Sequence, residues 1–361
     1  MKRVLALVPS EHGYSPGQRS TIELWERPLR EAGFALEYAP FETPALRRVL
    51  GKTGQGLLKT REMLRAYSRR VRLLKDLRGF DAVYVYREAA LIGPALLERW
   101  VARRRLPIIY SLDDPLYIPY VSPANGWLSY LKFFGKVATI CRLSSVVIVN
   151  SEFHKEYAEK YSDNVRQIPS LVDERIYRYR PDRPRVPPVC IGWSGSPSTA
   201  PNLHLVRGAL EDLAGRARFR LHLIGAGRLE VPGVECTAQP WHAETEVSDL
   251  ERLDIGLVPL PDTEWNRRKF NLKLAQYMAL GIVPVATPIG ANPDVIEHGT
   301  NGFLASTPRE WTRYLETLID DQALRFAMAE RAARKAQANF TLRAQASAVT
   351  ESFGSVFPGV A

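Results

Sequence analysis

The chain has 361 residues, which is longer than a single hydrophobic core usually supports, so two domains are expected. Its 45% hydrophobic and 24% charged residues are typical of a globular protein, and its three scattered cysteines exclude a disulfide framework and a zinc site. The net charge of +10 comes from one half, because residues 1–180 hold 30 Lys and Arg against 19 Asp and Glu, which predicts an anionic partner there.

The first half predicts one doubly wound sheet, because short β-branched runs alternate with helical patterns. This domain is expected to cover residues 1–180 and to bind a ligand of its own. Predicted strands cover residues 4–8, 82–86, 107–110 and 146–149. Predicted helices cover residues 21–32, 57–78, 94–103 and 153–161.

Polar residues follow three of these strands where each strand ends. Open parallel sheets bind ligands at the carboxyl ends of their strands, so a site for the hydroxyl or phosphate groups of a ligand is expected there. Asp113 and Asp114 are candidates for binding acceptor hydroxyls or for acting as a base, although capping the next turn or pairing with Arg87 is an alternative. The other acceptor-side or phosphate candidates are His12, Gly13, Arg19, Arg87 and Glu88. A lone loop histidine such as His12 is also compatible with a solvated surface.

The predicted helix 57–78 is amphipathic and basic. Met63, Tyr67, Val71 and Leu74 form an apolar stripe, and arginines at positions 61, 65, 69 and 72 form a row on another face. This pattern favours an anionic membrane surface as a partner, with the solvated face of a core-packed helix as the alternative. Nucleic acid is not expected, since no binding motif accompanies the charge.

The expected location is the cytoplasm, with peripheral attachment to the inner face of the cell membrane. Few cysteines suit a reducing compartment. The longest apolar stretch, residues 127–147, is interrupted by Lys132, Lys136 and Arg142, so a spanning helix is not expected.

A proline-rich segment, residues 181–188, is the predicted linker to a second domain, residues 189–340. The strand–helix alternation restarts there. Predicted strands cover residues 189–193, 220–224, 255–258 and 283–286, and predicted helices cover 201–214, 270–280, 307–319 and 321–339. The tail, residues 341–361, is predicted to form a helix that crosses back to the first domain.

The segment from Lys269 to Gly281 has the features of a diphosphate and ribose site. In a helix over 270–280, Lys269, Lys273 and Gln276 share one face by their i, i+4, i+7 spacing. A helix N-terminus attracts phosphate, two lysines add charge, and an amide one turn further on can hold hydroxyl groups. A surface helix with two solvated lysines is the alternative.

Small residues after two strands of the second half complete this predicted donor site. Gly195 and Ser196 can form a phosphate nest, or a plain turn. Gly225 lies in a glycine pair without the complete GxGxxG of a dinucleotide site, and Trp241 is a candidate for stacking on the base, or for the core. The candidate donor-binding residues are Gly195, Ser196, Gly225, Trp241, Arg268, Phe270, Asn271 and Gln276. The candidate catalytic residues are Lys269, Lys273, Asp113 and Asp114.

The run KFNLKLAQYMALGIVPVATPIGANPDVIEHGTNGFLA (residues 269–305) resembles the donor-binding signature of retaining family-4 glycosyltransferases. The resemblance implies the GT-B fold: α/β, with two Rossmann-like, doubly wound parallel-sheet domains facing a cleft. It implies transfer of a sugar, with retention, from a UDP- or GDP-linked donor to a saccharide or lipid-linked acceptor, without a required metal or cofactor. The KLxQYMAxG pattern is similar to a bacterial subgroup linked to surface-polysaccharide assembly.

Two departures from the family pattern stand in this segment. The family carries two glutamates with seven residues between them, and this chain has Arg268 and Gln276 there. The family's arginine and lysine after the first strand of this domain are also missing, so Lys269 and Lys273 are expected to supply that charge. A sugar-nucleotide epimerase of the same fold and a non-catalytic nucleotide-sugar-binding protein are therefore alternatives, and the incomplete glycine fingerprint disfavours a dehydrogenase.

Overall fold

The computed structural model describes residues 1–50, 52, 54–121 and 125–357 of the chain. The chain folds into two compact units. The N-terminal unit comprises Met1–Pro169 and Gln345–Ala361, and the C-terminal unit comprises Ser170–Ala344. The last four residues of the predicted tail helix, 358–361, lie outside the described residues.

The N-terminal unit contains a parallel sheet of six strands in the order β2-β1-β3-β4-β5-β6. The strands are β1 (Lys2–Val8), β2 (Phe34–Pro40), β3 (Ala82–Tyr86), β4 (Ile108–Leu112), β5 (Val146–Val149) and β6 (Val165–Gln167). The four central strands were predicted from their apolar runs and are fully or largely buried. The two edge strands, β2 and β6, were not predicted.

Helices flank this sheet and close its core. They are α1 (Pro16–Gln18), a π-helical turn (Arg19–Glu23), α2 (Glu26–Glu31), α3 (Pro44–Leu50), α4 (Gly56–Lys75), α5 (Leu96–Arg103), a 3-10 segment (Gly126–Lys132), α6 (Lys136–Leu143) and α7 (Glu152–Ala158). In α4, the predicted apolar stripe packs against the core, with Leu74 fully buried and Met63, Tyr67 and Val71 partly buried.

The C-terminal unit repeats the architecture with strand order β12-β11-β10-β7-β8-β9, again all parallel. The strands are β7 (Val189–Ser194), β8 (Phe219–Ile224), β9 (Glu235–Gln239), β10 (Ile255–Val258), β11 (Val283–Ala286) and β12 (Phe303–Leu304). The helical segments are Ala200–Leu203 (3-10), α8 (His204–Ala214), α9 (Glu246–Leu250), Asn266–Arg268 (3-10), α10 (Leu272–Ala279), α11 (Asn292–Val295), α12 (Pro308–Asp320), α13 (Gln322–Asn339) and α14 (Leu342–Gly354).

The proline-rich segment 181–188 lies inside the C-terminal unit, and the division between the units falls earlier, between Pro169 and Ser170. Two arginines fix the segment to the turn before β10. Arg183 Nη2 donates to the carbonyl oxygen of Leu253 at 2.9 Å, and Arg185 forms an ion pair with Asp254 at 2.7 Å. Side-chain contacts therefore hold this segment against its own sheet.

From Gln345 onward, the last helix belongs to the N-terminal unit. The Phe353 ring stacks on Tyr84 of β3 at a centroid distance of 5.7 Å and meets Phe34 of β2 edge-on at 5.8 Å. Residues from the two ends of the sequence thus share one core. None of the helices in the described part of the chain is long and apolar enough to cross a membrane.

Candidate functional site

Helix α10 begins at Leu272, two residues later than predicted, so the expected common face of Lys269, Lys273 and Gln276 is wrong. Lys269 precedes the helix in extended backbone (φ −98°, ψ 138°), and Asn271 is also extended (φ −105°, ψ 102°). The Asn271 side chain donates to Asn292 Oδ1 at 2.6 Å, which fixes the entry of the chain into the helix. Only Lys273 and Gln276 lie on α10, three residues apart.

Lys273 is a half-buried cation at the start of α10. Its Nζ lies 4.4 Å from the centroid of the Trp193 ring, at the end of β7. Burial, and secondarily the charge of Lys269, lowers the pKa of Lys273 to about 7. Within residues 1–50, 52, 54–121 and 125–357, no carboxylate or carbonyl oxygen accepts a hydrogen bond from this ammonium. An ammonium without an oxygen acceptor favours the binding of an anion, because the anion supplies the charge partner that the ligand-free protein lacks.

The loops after β7 and β8 meet beside Lys273. Gly225 has a φ of +78°, and a β-carbon there would lie 1.9 Å from the carbonyl oxygen of Gly195 and 3.4 Å from Trp241 Cβ. A β-carbon on Gly195 would in turn lie 3.0 Å from Lys273 Nζ. The structure thus brings together Gly195, Gly225, Trp241 and Lys273 at the carboxyl ends of neighbouring strands, which is where open α/β sheets bind ligands.

Ser196 continues the first of these loops on the surface. Its hydroxyl lies 2.8 Å from the Ser198 hydroxyl, and its backbone N–H donates to Thr199 Oγ1 at 3.3 Å. Tyr277 of α10 fixes the other side of the loop, because its hydroxyl accepts the N–H of Ser194 at 2.9 Å. The loop between β7 and α8 is therefore held in shape by short-range hydrogen bonds.

A buried carboxylate, Glu246, joins this site and was not among the predicted residues. Its Oε1 accepts Trp241 Nε1 at 3.0 Å and Gln276 Nε2 at 3.1 Å, and its Oε2 accepts the Tyr177 hydroxyl at 2.9 Å. Gln276 Nε2 also donates to the Tyr177 oxygen at 2.9 Å. We call Tyr177, Trp241, Glu246 and Gln276 the Glu246 cluster. It connects the predicted base-binding tryptophan with the predicted ribose-binding glutamine.

Three other predicted donor-binding residues have structural partners. Arg268 forms an ion pair with Glu264 at 3.0 Å on the surface. Phe270 is buried and packs against Phe340 with ring centroids 5.9 Å apart. Asn271, as described, is held by Asn292. These contacts give each of the three side chains, which precede α10, a partner within the protein.

In the N-terminal unit, Arg87, Asp113 and Asp114 form one ion-pair cluster at the carboxyl ends of β3 and β4. Arg87 Nε donates to Asp113 Oδ1 at 2.7 Å, and Arg87 Nη2 lies 2.6 Å from Asp114 Oδ2. The Tyr86 hydroxyl also donates to Asp113. Gly17 of α1 lies against this cluster, since a β-carbon there would be 2.8 Å from the Tyr86 oxygen. The expected alternative, pairing of the aspartates with Arg87, is what the structure shows.

The remaining acceptor-side candidates lie in separate surroundings. His12 Nε2 is 2.9 Å from Glu26 Oε1, and the Gly13 N–H donates to Glu23 at 2.8 Å. Arg19 opens the π-helical turn and is partly exposed. Glu88 forms a buried ion pair with Lys136 at 2.7 Å.

The described residues contain no group of three or more His, Cys, Asp or Glu side chains that could hold a metal ion.

Residues 189–321 match the family model described as Glycosyl transferases group 1. The matched region lies within the C-terminal unit and contains Gly195, Gly225, Trp241, Glu246 and Lys273. A search of curated proteins gives no match.

Solved structures resemble the chain over nearly its whole length. HepE from Anabaena in complex with UDP has a TM-score of 0.68 at 16% identity, covering 98% of this chain and 100% of that chain. Sucrose-phosphate synthase from Thermosynechococcus elongatus has a TM-score of 0.71 at 14% identity, covering 99% of each chain. A glycosyltransferase from Rickettsia africae has a TM-score of 0.66 at 14% identity, also covering 99% of each chain.

These likenesses show that the chain has the expected GT-B fold, an α/β architecture with two parallel-sheet units.

Proposed function

We propose that this protein transfers a sugar from a UDP- or GDP-linked donor to a saccharide or lipid-linked acceptor, with retention at the anomeric carbon. The observation that carries the proposal is the half-buried Lys273 ammonium, which lies between the Trp193 ring and the Gly195 loop. This cation stands at the N-terminal turn of α10, whose free N–H groups also attract phosphate. HepE, a neighbour in fold, is solved with UDP and with UDP-glucose.

In this proposal, the C-terminal unit holds the donor by its nucleotide end. The diphosphate binds Lys273 and the backbone around Gly195 and Ser196, with Lys269 adding charge nearby. Gln276 binds the ribose hydroxyls through its side-chain carbonyl, since its amide nitrogen is already held by Tyr177 and Glu246. Trp241, fixed by Glu246, contacts the base.

The proposed chemistry is displacement at the anomeric carbon. The bond between that carbon and the diphosphate oxygen breaks, the acceptor hydroxyl oxygen forms the new bond, and its proton passes to the leaving diphosphate. Lys273 and the N–H groups stabilise the negative charge that grows on the diphosphate, which is the largest contribution such a site can make. In the N-terminal unit, the Arg87–Asp113–Asp114 cluster is proposed to bind acceptor hydroxyls, with His12 and Arg19 serving a phosphorylated acceptor.

The donor proposal is tested by thermal shift with UDP-, GDP-, ADP- and CMP-sugars. One base class, UDP or GDP, should raise Tm by linkage, and Lys273→Gln should remove the shift. Arg268→Gln is the matched control, because Arg268 is engaged by Glu264, and this variant should keep the shift. Absence of stabilisation by every donor, or a shift that survives Lys273→Gln, would contradict the proposal.

Product analysis separates transfer from the alternatives. With the stabilising donor and a mixture of saccharide and lipid-linked acceptors, a new glycoside should form. Incubation with the donor alone should yield no epimer, and an epimer would favour the epimerase. Donor binding without either product would favour a binding protein.

We also propose that the N-terminal unit contacts an anionic membrane surface, in line with a lipid-linked acceptor and a role in surface-polysaccharide synthesis. The start of α4 exposes Leu57 and Leu64 to 90% and 60%, beside the exposed Arg61 and Arg65. Lys59 Nζ donates to Asn125 at 2.9 Å, which ties this end of α4 to the 3-10 segment Gly126–Lys132. The neighbouring exposed apolar side chains are Leu128, Tyr130, Leu131 and Phe133.

Sedimentation with vesicles tests the membrane proposal. Vesicles containing phosphatidylserine should bind the protein, and neutral vesicles should not. The triple change Arg61→Gln, Arg65→Gln and Arg72→Gln should weaken binding by roughly 100-fold, because each cation near an anionic leaflet contributes about 1 kcal/mol. Equal binding of the wild type and the triple variant would contradict it.

A further inference from the structure

A cavity lies at the amino ends of the strands of the C-terminal sheet, whereas Lys273 lies near their carboxyl ends. It has a volume of about 350 Å³ and is lined by residues at the amino ends of β7, β8 and β9. In the sheet register, Cys190 pairs with Arg220, and Arg220 pairs with Glu235, so these three lie side by side. Asp254, which precedes β10, donates its N–H to the Cys190 oxygen and continues the row.

The wall of this cavity is rich in arginine. Five arginines and three carboxylates line it, an excess of two positive charges. The arginines are Arg180, Arg183, Arg185, Arg220 and Arg252, and the carboxylates are Glu235, Glu251 and Asp254.

The carboxylates do not neutralise the wall evenly. Arg180 pairs with Glu251 at 2.5 Å, and Arg185 pairs with Asp254 at 2.7 Å. Arg220 forms no ion pair with any residue in the described ranges. Burial, together with the charge of Arg185, lowers the pKa of Arg183 to about 10, so the cations at this end of the cavity repel one another.

Three guanidinium nitrogens in this wall are buried without a hydrogen-bond acceptor among the described residues: Arg183 Nη1, Arg185 Nε and Arg220 Nε. A buried donor without an acceptor costs about 1–3 kcal/mol, more when it is charged. Buried donors in native proteins are almost always satisfied, so three on the arginines that line one cavity indicate a shortage of acceptors in this wall.

We propose that this cavity binds the phosphate group of a small, soluble phosphorylated metabolite. Guanidinium groups present N–H donors in a planar fork that matches phosphate oxygens. The lining arginines outnumber the carboxylates even when Asp249, which lies 3.8 Å from Arg252, is counted, so the wall favours an anion. The volume lies within the range of small-ligand pockets. A planar carboxylate offers fewer acceptor directions than a tetrahedral phosphate for donors that come from different strands.

This site is separate from the proposed donor site. Lys273 lies beside loops that follow the carboxyl ends of β7 and β8, whereas Arg220 lies at the amino end of β8. Strands advance by about 3.3 Å per residue, so a strand of this length separates the two by roughly 15 Å. The proposed phosphate site and the proposed transferase activity therefore rest on different residues and can be tested independently.

The test compares inorganic phosphate with NaCl at equal ionic strength and follows Tm. Phosphate at about ten times its Kd should raise Tm of the wild type by about 2 °C. Arg220→Gln should lose most of this shift. Lys273→Gln, a change near the carboxyl ends of the strands, should keep the Tm shift. This result separates the proposed phosphate site from the donor site.

A second variant, Arg220→Lys, tests the site if Arg220→Gln does not fold. Arg220→Lys keeps the charge and loses the fork, so it should bind phosphate several-fold more weakly, as measured by ³¹P NMR line broadening. The proposal is overturned if NaCl gives the same shift, if both arginine variants keep the full shift, or if the shift disappears with Lys273→Gln. It is also overturned if phosphatidic acid vesicles, but not inorganic phosphate, bind in an Arg220-dependent way, because the ligand would then be a lipid headgroup.

Discussion

Lys273 couples the chemistry of the donor site to pH. With a pKa lowered to about 7 by burial, its side chain is mostly neutral at pH 8 in the free protein. A diphosphate beside it raises that pKa again. Binding of the nucleotide at pH 8 should therefore take up a proton in most molecules, and binding at pH 5.5 should take up almost none.

Calorimetry in buffers of different ionisation enthalpy measures this proton uptake. Lys273→Met should abolish it and weaken binding, whereas Arg268→Gln should leave it unchanged. Proton uptake that is the same at pH 5.5 and pH 8 would rule out Lys273 as the titrating group.

Lys273 should also lower the stability of the ligand-free protein. The unfolded chain takes up the proton of Lys273 near pH 10.5 and the folded protein only near pH 7, so stability falls as pH falls between these values. Lys273→Met should therefore raise Tm of the ligand-free protein at pH 7, as removal of a buried charge held for function often does. A lower Tm in this variant would show that the contact with Trp193 outweighs the cost of burial.

At this scale, the sequence singled out Lys273 from a spacing that the structure does not keep. Lys273 stood out because of its spacing from Lys269, yet Lys269 lies outside the helix. Glu246 escaped notice because it stands among other acids, at positions 244, 249 and 251, and composition does not tell which acid faces inward. The fold decides that: the Glu246 side chain is buried, and three donors from different segments reach it.

The contact between α9 and α10 explains why glutamine, and not glutamate, stands at position 276. Gln276 Nε2 lies 3.1 Å from Glu246 Oε1, so a second carboxylate there would repel the first in a buried setting. We expect Gln276→Glu to destabilise the protein by about 1–3 kcal/mol at pH 7.

A double-mutant cycle tests this pairing. Glu246→Gln alone leaves one buried donor without an acceptor and should cost a similar amount. The double variant Glu246→Gln/Gln276→Glu exchanges the carboxylate and the amide, so its cost in urea unfolding should be smaller than the sum of the single changes. Additive costs would mean that the two side chains do not interact.

Strands were predicted well where they are buried on both faces and poorly where they are not. The central strands β3, β5, β10 and β11 were predicted with their observed ends. The edge strands were missed because they mix exposed and half-buried residues and lack a continuous apolar run; β2 and β9 show this pattern. Their position follows from pairing with a neighbour already in place, which periodicity does not reveal.

The two-unit organisation was predictable from the repeated strand–helix pattern, but its boundary was not. Four prolines suggested a linker at 181–188, whereas Arg183 and Arg185 bind that segment to the C-terminal unit. These are contacts between distant positions in the sequence, and local composition does not encode them.

Removal of residues 345–361 should unfold or loosen the N-terminal unit alone. Val349 and Phe353 are fully buried there, and loss of a buried phenylalanine typically costs 3–5 kcal/mol by order of magnitude. A chain ending at Ala344 should therefore show early proteolysis within residues 1–169 while the C-terminal unit keeps its transition. A chain ending at Phe357 is the control and should behave as the full chain does.

Because α14 completes the unit that the first 169 residues begin, the order of synthesis differs from the order of folding. Domains usually fold one after another as they leave the ribosome. Here Phe34 and Tyr84 are made early, and their partner Phe353 is made more than 250 residues later. The C-terminal unit, which is continuous in sequence, is therefore the first that can reach its final state, and the nascent N-terminal unit must keep an apolar surface exposed until α14 has been made.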